Sequence, residues 1–341
     1  MSKQFITGNQ AVIEATKTIG ANCFCGYPIT PSTEILEEWA KLHDLKPDKY
    51  KMIQSEDETS AGFNVIGAVL AGAKAFTATA GPGHILMQDP LAMAEAMRLP
   101  FVVIVMQRGG PSTGTVIYSQ QEVTLACYGG NGEGLRIVYS IASSQEAYDY
   151  TIKAFQSSWK YRFPTIVLGD GYLSKMRQSV KITKTNQFAR STKLLGDNNK
   201  INNLRNCYNF EAELASKLNK DIEEYNKFSP KIVESQFNHV KGAEILLVAH
   251  GMVYQAARLA VDLLKKDGKK VGLFRPITLR PFDYTALSRM SASYKKIIIL
   301  ESSDGHFERL VKAGYYGTTK IETYKKPVEP ISVEEIIRLI S

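Results

Sequence analysis

Carboxylates and turn residues are the side chains in this sequence whose spacing could do chemistry. Glu56-Asp57-Glu58 sets three acids in succession ahead of a helical pattern. Acids favour a helix N-terminus, so solvated end charges are one reading. Helix geometry supplies another: successive residues point about 100° apart, so at most one of the three faces inward. A carboxylate that does so needs compensation. Arg108 stands just beyond the apolar run Phe101–Met106, and its loop continues Gly109-Gly110-Pro111-Ser112-Thr113-Gly114. Open α/β sheets bind ligands at the C-terminal ends of their strands. Arg108 is therefore either a solvated loop residue or an anion ligand.

The third stretch is Cys25-Gly26-Tyr27-Pro28-Ile29-Thr30-Pro31-Ser32-Thr33-Glu34. Two prolines restrict the backbone around Ile29 and Thr30. The pattern predicts Thr30 as N-cap and Pro31 as first residue of a helix with Ile35, Trp39 and Leu42 on its apolar face. An ordinary strand-to-helix turn satisfies this pattern. A carboxylate or phosphate site beside free helix N–H groups satisfies it too.

Other chemistries find less support. The five histidines, at 43, 84, 239, 250 and 306, have no metal-ligand spacing. His84, opening a helix beside Gly81-Pro82-Gly83, is the best candidate among them. Dinucleotide, P-loop and nucleophile-elbow motifs are absent. Cys23, Cys25, Cys127 and Cys207 form no CxxC. That argues against a disulfide framework and against an iron–sulfur cluster held by this chain alone. Cys23 and Cys25 fall on one face of a strand. Gly169-Asp170-Gly171 followed by Asn198-Asn199 has the spacing of the magnesium-diphosphate motif of thiamine diphosphate enzymes. The second half lacks a preceding buried strand, because Lys193-Leu194-Leu195-Gly196-Asp197 stands there; these asparagines read as an exposed loop.

The elements that must position these residues alternate between strand and helix, the mark of α/β architecture. With 341 residues and 44% hydrophobic content the chain can bury two cores. Residues 1–176 read as repeated β-α units forming one doubly wound domain. Strands are expected near 22–25, 52–54, 74–79, 101–106, 136–139 and 164–168, and helices over 9–20, 85–97 and 146–158. The helix after Glu58 is small-sided, with Gly62, Gly67 and Ala68, as if a neighbour approaches closely. Residues 177–240 are rich in Lys, Asn and Gln and read as a linker with an amphipathic helix over 210–225. Residues 241–341 recover the α/β pattern, with strands at 245–249, 271–274 and 296–301, as a smaller second domain.

The formal charge of +8, from 42 basic and 34 acidic residues, is scattered. Nothing resembles a nucleic-acid reader, while docking of an acidic protein stays open. No apolar run reaches the length of a membrane span. The first five residues lack a signal-peptide pattern, and a reduced, cytoplasmic protein is expected.

In order, Gly8-Asn9-Gln10-Ala11, Gly26–Glu34, the Glu56–Glu58 helix, Thr79-Ala80-Gly81-Pro82-Gly83 and Gly110–Gly114 closely resemble the alpha subunit of the 2-oxoacid:ferredoxin oxidoreductases. The resemblance covers nearly the whole chain. Arg275-Pro276-Ile277 and Glu301 with Gly305 resemble that family's transketolase C-terminal-like domain. The resemblance implies a pyrimidine-type thiamine-diphosphate-binding domain followed by this smaller α/β domain. It implies CoA-dependent oxidative decarboxylation of a 2-oxoacid to acyl-CoA and CO2, with reduction of ferredoxin. Thiamine diphosphate would be shared with a beta subunit, which would hold Mg2+; 4Fe-4S clusters would lie on partner subunits, with gamma or delta subunits also possible partners. Glu58, ahead of Glu56, matches the glutamate that bonds the cofactor's aminopyrimidine ring. Pro28 and Ile29 match its cofactor-side turn, and Thr30 and Arg108 match substrate-carboxylate ligands. The substrate is expected to be 2-oxoglutarate or a branched-chain 2-oxoacid, with pyruvate, or a non-catalytic structural role, as alternatives. Gln120-Gln121-Glu122 departs from the pattern, since related chains often carry an Asp where Glu122 stands.

Overall fold

The computed structural model describes residues 2–183, 191–195 and 204–340. The chain opens with β1 (Ser2–Ile6), α1 (Gly8–Ile19), β2 (Cys23–Gly26), α2 (Thr33–Leu45), β3 (Lys51–Gln54), α3 (Glu58–Leu70) and β4 (Ala75–Thr79). Two short helices, α4 (Pro82–Leu86) and α5 (Gln88–Ala96), lead into β5 (Val102–Gln107). Next come α6 (Val123–Tyr128), β6 (Ile137–Ser140), α7 (Ser144–Tyr161), β7 (Thr165–Asp170), α8 (Gly171–Lys175) and β8 (Gln178–Ile182). The long helix α9 (Glu211–Ile232) precedes β9 (Ser235–Asn238), β10 (Ile245–Val248), α10 (Gly251–Lys266), β11 (Val271–Pro276) and β12 (Thr278–Arg280). The remaining elements are α11 (Tyr284–Ser291), β13 (Lys296–Glu301), α12 (His306–Ala313), β14 (Lys320–Lys325) and α13 (Val333–Ile340).

A seven-stranded sheet runs in the order β12-β6-β7-β5-β4-β2-β3, parallel except for β12. Helices cover both faces, so its central strands read as unbroken apolar runs; every residue of β5 is buried. Phe24, Trp39 and Phe76 pack edge-on beneath α2, with the Trp39 and Phe76 rings 5.0 Å apart. The Trp39 indole N–H donates to the Lys51 carbonyl at 2.9 Å, tying α2 to the edge strand. Thr7 and Gln10 form a reciprocal capping box at the start of α1. In α3, a Cβ on Gly62 would fall 2.3 Å from the Pro90 ring, which is the expected close approach, made here by α5.

The second sheet has the order β14-β13-β10-β11-β9, parallel except for β9. The two units are stitched together. Strand β12 lies in sequence between β11 and β13 of the second sheet yet pairs with β6 of the first. Arg275 of β11 donates to Glu146 of α7 at 2.7 Å. Gln120 donates to the His250 carbonyl at 3.0 Å and accepts from Ser302 N–H at 3.3 Å.

Several expected boundaries move. Thr30 is not the N-cap of α2, and Pro31 is not its first residue. Ser32 N–H and Oγ both bond the Ile29 carbonyl, at 3.0 and 2.9 Å, closing a separate turn. Asn9 also takes the Pro31 carbonyl at 2.8 Å, so the helix starts at Thr33. The single helix expected over 85–97 is two helices meeting at Met87, and it starts at Pro82. Helix α9 extends to Ile232, because Tyr225, Phe228 and Ile232 are buried against the first unit. Strand β8 pairs with β1, and β9 joins the second sheet, within the stretch expected as linker.

Candidate functional site

The three adjacent acids separate as helix geometry requires. Asp57 caps α3 by accepting the Ser60 N–H at 2.7 Å. Glu56 is exposed and accepts from the Ser60 hydroxyl at 3.2 Å. Glu58, the first residue of α3, turns inward and is 4% exposed. Its Oε1 has no hydrogen-bond partner, and neither does the nearby buried Thr79 Oγ1. Gly83 of α4 completes the cradle: a Cβ there would lie 2.1 Å from Glu58 Oε1 and 2.4 Å from Thr79 Oγ1. Burial is the main force raising the Glu58 pKa. Its own backbone N–H opposes the rise, neighbouring Asp57 adds to it, and the positive charge of Arg108 opposes it.

Arg108 follows β5 and is 6% exposed. Its Nη1 donates to the Thr30 carbonyl at 2.9 Å, while its Nε has no partner. The turn and the arginine therefore meet, but through the Thr30 backbone; the Thr30 side chain is exposed, as is Pro28, and Ile29 is half-buried. Glu122 holds the site from behind. Its Oε1 accepts the N–H groups of Gly81 and Arg108, both at 3.0 Å, and its Oε2 bonds His84 Nδ1 at 2.8 Å. His84 is wholly buried, and its Nε2 has no partner.

A cavity of about 300 Å3 opens beside the arginine, lined by Gly81, Ile85, Arg108, Gln121 and Leu125 of the first unit and by His306 of the second. Thr30 and Glu58 are not among its lining residues. Glu301 fixes the start of α12, where His306 sits, by accepting the N–H groups of Phe307 and Glu308 at 2.9 and 3.2 Å.

Sequence reasoning missed the parts that Glu122 and His306 take. Glu122 ends the polar run Ser119-Gln120-Gln121-Glu122, and that run just ahead of a helix was the available signal. His306 carries no local signal, because only the packing of the two units brings it to the cavity. The Gly169-Asp170-Gly171 turn has a different use. Asp170 accepts Leu173 N–H of α8 at 3.2 Å and Met252 N–H of α10 at 3.1 Å, capping two helices at once. Full burial pushes its pKa up to about 7 against those backbone donors. Asn198 and Asn199 lie outside the described residues. Among the described residues no cluster of three or more His, Cys, Asp or Glu could hold a metal.

Residues 14–239 match the family model "Pyruvate flavodoxin/ferredoxin oxidoreductase, thiamine diP-bdg", and residues 243–329 match "Pyruvate:ferredoxin oxidoreductase core domain II". The ketoisovalerate oxidoreductase subunit VorB of Methanothermobacter marburgensis is 33% identical over 317 residues, covering 92% of this chain and 90% of that one. The chain belongs to the alpha subunits of the 2-oxoacid:ferredoxin oxidoreductases. The 2-oxoglutarate synthase subunit KorA of Methanocaldococcus jannaschii is likewise 33% identical to this alpha subunit, over 98% of its length and 96% of the relative's. A solved 2-oxoglutarate:ferredoxin oxidoreductase from Magnetococcus marinus, with 2-oxoglutarate, coenzyme A and succinyl-CoA bound, superposes with a TM-score of 0.90 at 26% identity. That match covers 99% of this alpha subunit, which spans 64% of the length of the solved chain.

The doubly wound thiamine-diphosphate-binding domain and the smaller α/β domain expected from the motifs are both present in this alpha subunit. The chemistry of the buried polar residues beside Gly83 suits that cofactor's pyrimidine end. Unpartnered polar atoms of Glu58 and Thr79 converge on Gly83, where a Cβ would collide with both. No helix among the described residues is long and apolar enough to cross a membrane.

Proposed function

We propose that this alpha subunit, assembled with a beta subunit, catalyses CoA-dependent oxidative decarboxylation of a 2-oxoacid. Acyl-CoA and CO2 leave, and the electron pair released passes to ferredoxin. The observation that carries this reading is Glu58, a buried carboxylate of raised pKa with an open Oε1 at a helix start. Thiamine diphosphate, when bound, supplies the carbon nucleophile and electron sink. Glu58 Oε1 would hold a proton toward its pyrimidine ring, a role suited to a carboxylate whose pKa is raised. Pro28 and Ile29 would border the ring.

Arg108 and Thr30 take the substrate carboxylate, the guanidinium at the cavity wall supplying the positive charge. The beta subunit holds the diphosphate and Mg2+, and 4Fe-4S clusters lie on partner subunits, gamma or delta chains among them. The cavity favours a substrate side chain larger than methyl. It is roughly ten times the ~30 Å3 share of one water molecule, and Ile85 and Leu125 line it beside His306. This supports 2-oxoglutarate or a branched-chain 2-oxoacid over pyruvate, which VorB and KorA relatives also favour by their names.

The test is co-expression with the beta subunit and a 2-oxoacid panel read with a viologen dye. Glu58→Gln lowers CoA-dependent turnover by about 100-fold or more, in the range for loss of a general acid–base, while the subunits still co-purify. Near-parental turnover in that variant supports a structural subunit instead.

A further inference from the structure

The loop that carries Arg108 has no regular hydrogen-bonded partner strand to hold it, because β5 ends at Gln107. At its start, a single carboxylate ties it to two other segments. Glu122 Oε1 accepts two backbone N–H groups, from Arg108 and from Gly81, at 3.0 Å each. Its Oε2 faces His84 Nδ1 at 2.8 Å. Its own N–H donates to Gln107 Oε1 at 3.1 Å, and Gln107 Nε2 donates to the Gly169 carbonyl of β7 at 3.3 Å. The carboxylate is thus anchored to the central sheet and spans three segments that are far apart in sequence.

Glu122 also borders the cavity. A bare carboxylate there would repel an anionic substrate, by like-charge repulsion at low dielectric. Three donors turn both its oxygens away from that use. The neighbouring Gln121 adds to the same clamp by accepting Gly110 N–H at 2.8 Å, and Gln120 reaches the second unit at His250 and Ser302.

We propose that Glu122 is the positioning residue for Arg108: it locks the arginine loop to the Gly81–His84 turn, so that carboxylate recognition depends on it without direct contact. The inference rests on the reading of Arg108 as the substrate-carboxylate ligand. Aspartate is one methylene shorter, so in this chain, where the loop is spaced for glutamate, it reaches fewer of the three donors from the same backbone position. Glutamine keeps an acceptor for both N–H groups, and its amide N–H can donate to His84 Nδ1 once the ring takes the Nε2–H tautomer.

The experiment uses the assembled enzyme and measures kcat and KM for the 2-oxoacid in Glu122→Ala, Glu122→Asp, Glu122→Gln, Arg108→Ala and the Arg108→Ala/Glu122→Ala double variant. Glu122→Ala raises KM by about tenfold or more with a smaller change in kcat, the signature of lost ground-state binding. Glu122→Asp raises KM by about fivefold, and Glu122→Gln stays within about threefold of the parent. In the Arg108→Ala background, removing Glu122 changes KM by less than about twofold, because both variants erase the same interaction. Parental KM in Glu122→Ala and Glu122→Asp, with a raised KM in Arg108→Ala, overturns the role of Glu122 alone. Multiplying effects in the double variant overturn it too. A parental KM in Arg108→Ala overturns the underlying reading of the arginine. Should Glu122→Ala fail to assemble, the Asp and Gln variants decide the matter by the same thresholds.

Discussion

At the scale of single residues, Glu58 keeps a buried carboxylate in a state that folding alone does not favour. Burial raises its pKa above the ordinary glutamate value. The native state therefore holds this proton over a pH range where the unfolded chain has lost it. The contribution of Glu58 to stability is present below about pH 4.3, the unfolded glutamate value. It is lost as pH rises through the raised native value. Glutamine cannot ionise, so Glu58→Gln without cofactor should melt at a higher temperature than the parent at pH 7 to 8. The gap should shrink as the pH of the melting buffer falls toward the ordinary carboxylate range. A Glu58→Gln chain that melts below the parent at pH 7.5 contradicts this account. That at most one acid turns inward was legible in the sequence, since three consecutive acids on a helix leave room for one inside; its identity as Glu58 came only from the resemblance. The part played by the Thr30 backbone was not. A hydroxyl invites a side-chain role, but the bond from Arg108 goes to the carbonyl of a turn that closes on Ile29 before the helix begins.

Elements show the same mixture. Strand β5 and helix α7 could be read directly, because an unbroken apolar run and a 3.6-residue period each have one physical meaning. Strands β8, β9 and β12 could not. They are short and polar, and each exists only because a partner strand distant in sequence stands beside it. The Gly-Asp-Gly turn belongs here as well: its spacing suggested a metal motif, yet its carboxylate serves two helix starts. Replacing Asp170 by Ala removes both caps, each worth roughly 1–2 kcal/mol. A urea titration should register a loss of about 2–4 kcal/mol; a loss below about 0.5 kcal/mol would show that neither cap matters. Helix α9 is held similarly. Arg98 bonds Asp221 and Glu224 at 2.9 and 2.8 Å and lies 3.9 Å from the Phe163 ring centre. Arg98→Ala leaves the buried Asp221 with Lys217 as its remaining ion partner, and the loss of its charged hydrogen bonds should cost about 1–3 kcal/mol in the same titration.

Across the whole molecule, the candidate site is a joint product of both units. Arg108 and Gln121 come from the first and His306 from the second, placed by Glu301 at the start of α12. In the proposed function, with Arg108 on the carboxylate, His306 would face the variable end of the 2-oxoacid. In His306→Ala the ratio of kcat/KM values for 2-oxoglutarate and a branched-chain 2-oxoacid should change by about tenfold, within the range that one side chain at a pocket wall can supply. An unchanged ratio across the panel would remove His306 from substrate selection. Domain content and family were legible from the strong motifs. Residues that meet only through packing of one unit on the other left no mark in local sequence.

Strand β12 bears on how this chain can be divided. A cut in the connection near residue 240, where the two family matches abut, looks natural from the sequence. It would nevertheless strip β12 from β6 and leave the N-terminal fragment with a raw sheet edge. Such an edge pairs readily with other chains. Expressed alone, residues 1–240 should accumulate as aggregate. Adding the rest of the chain in trans should rescue solubility only when that second piece begins upstream of Thr278.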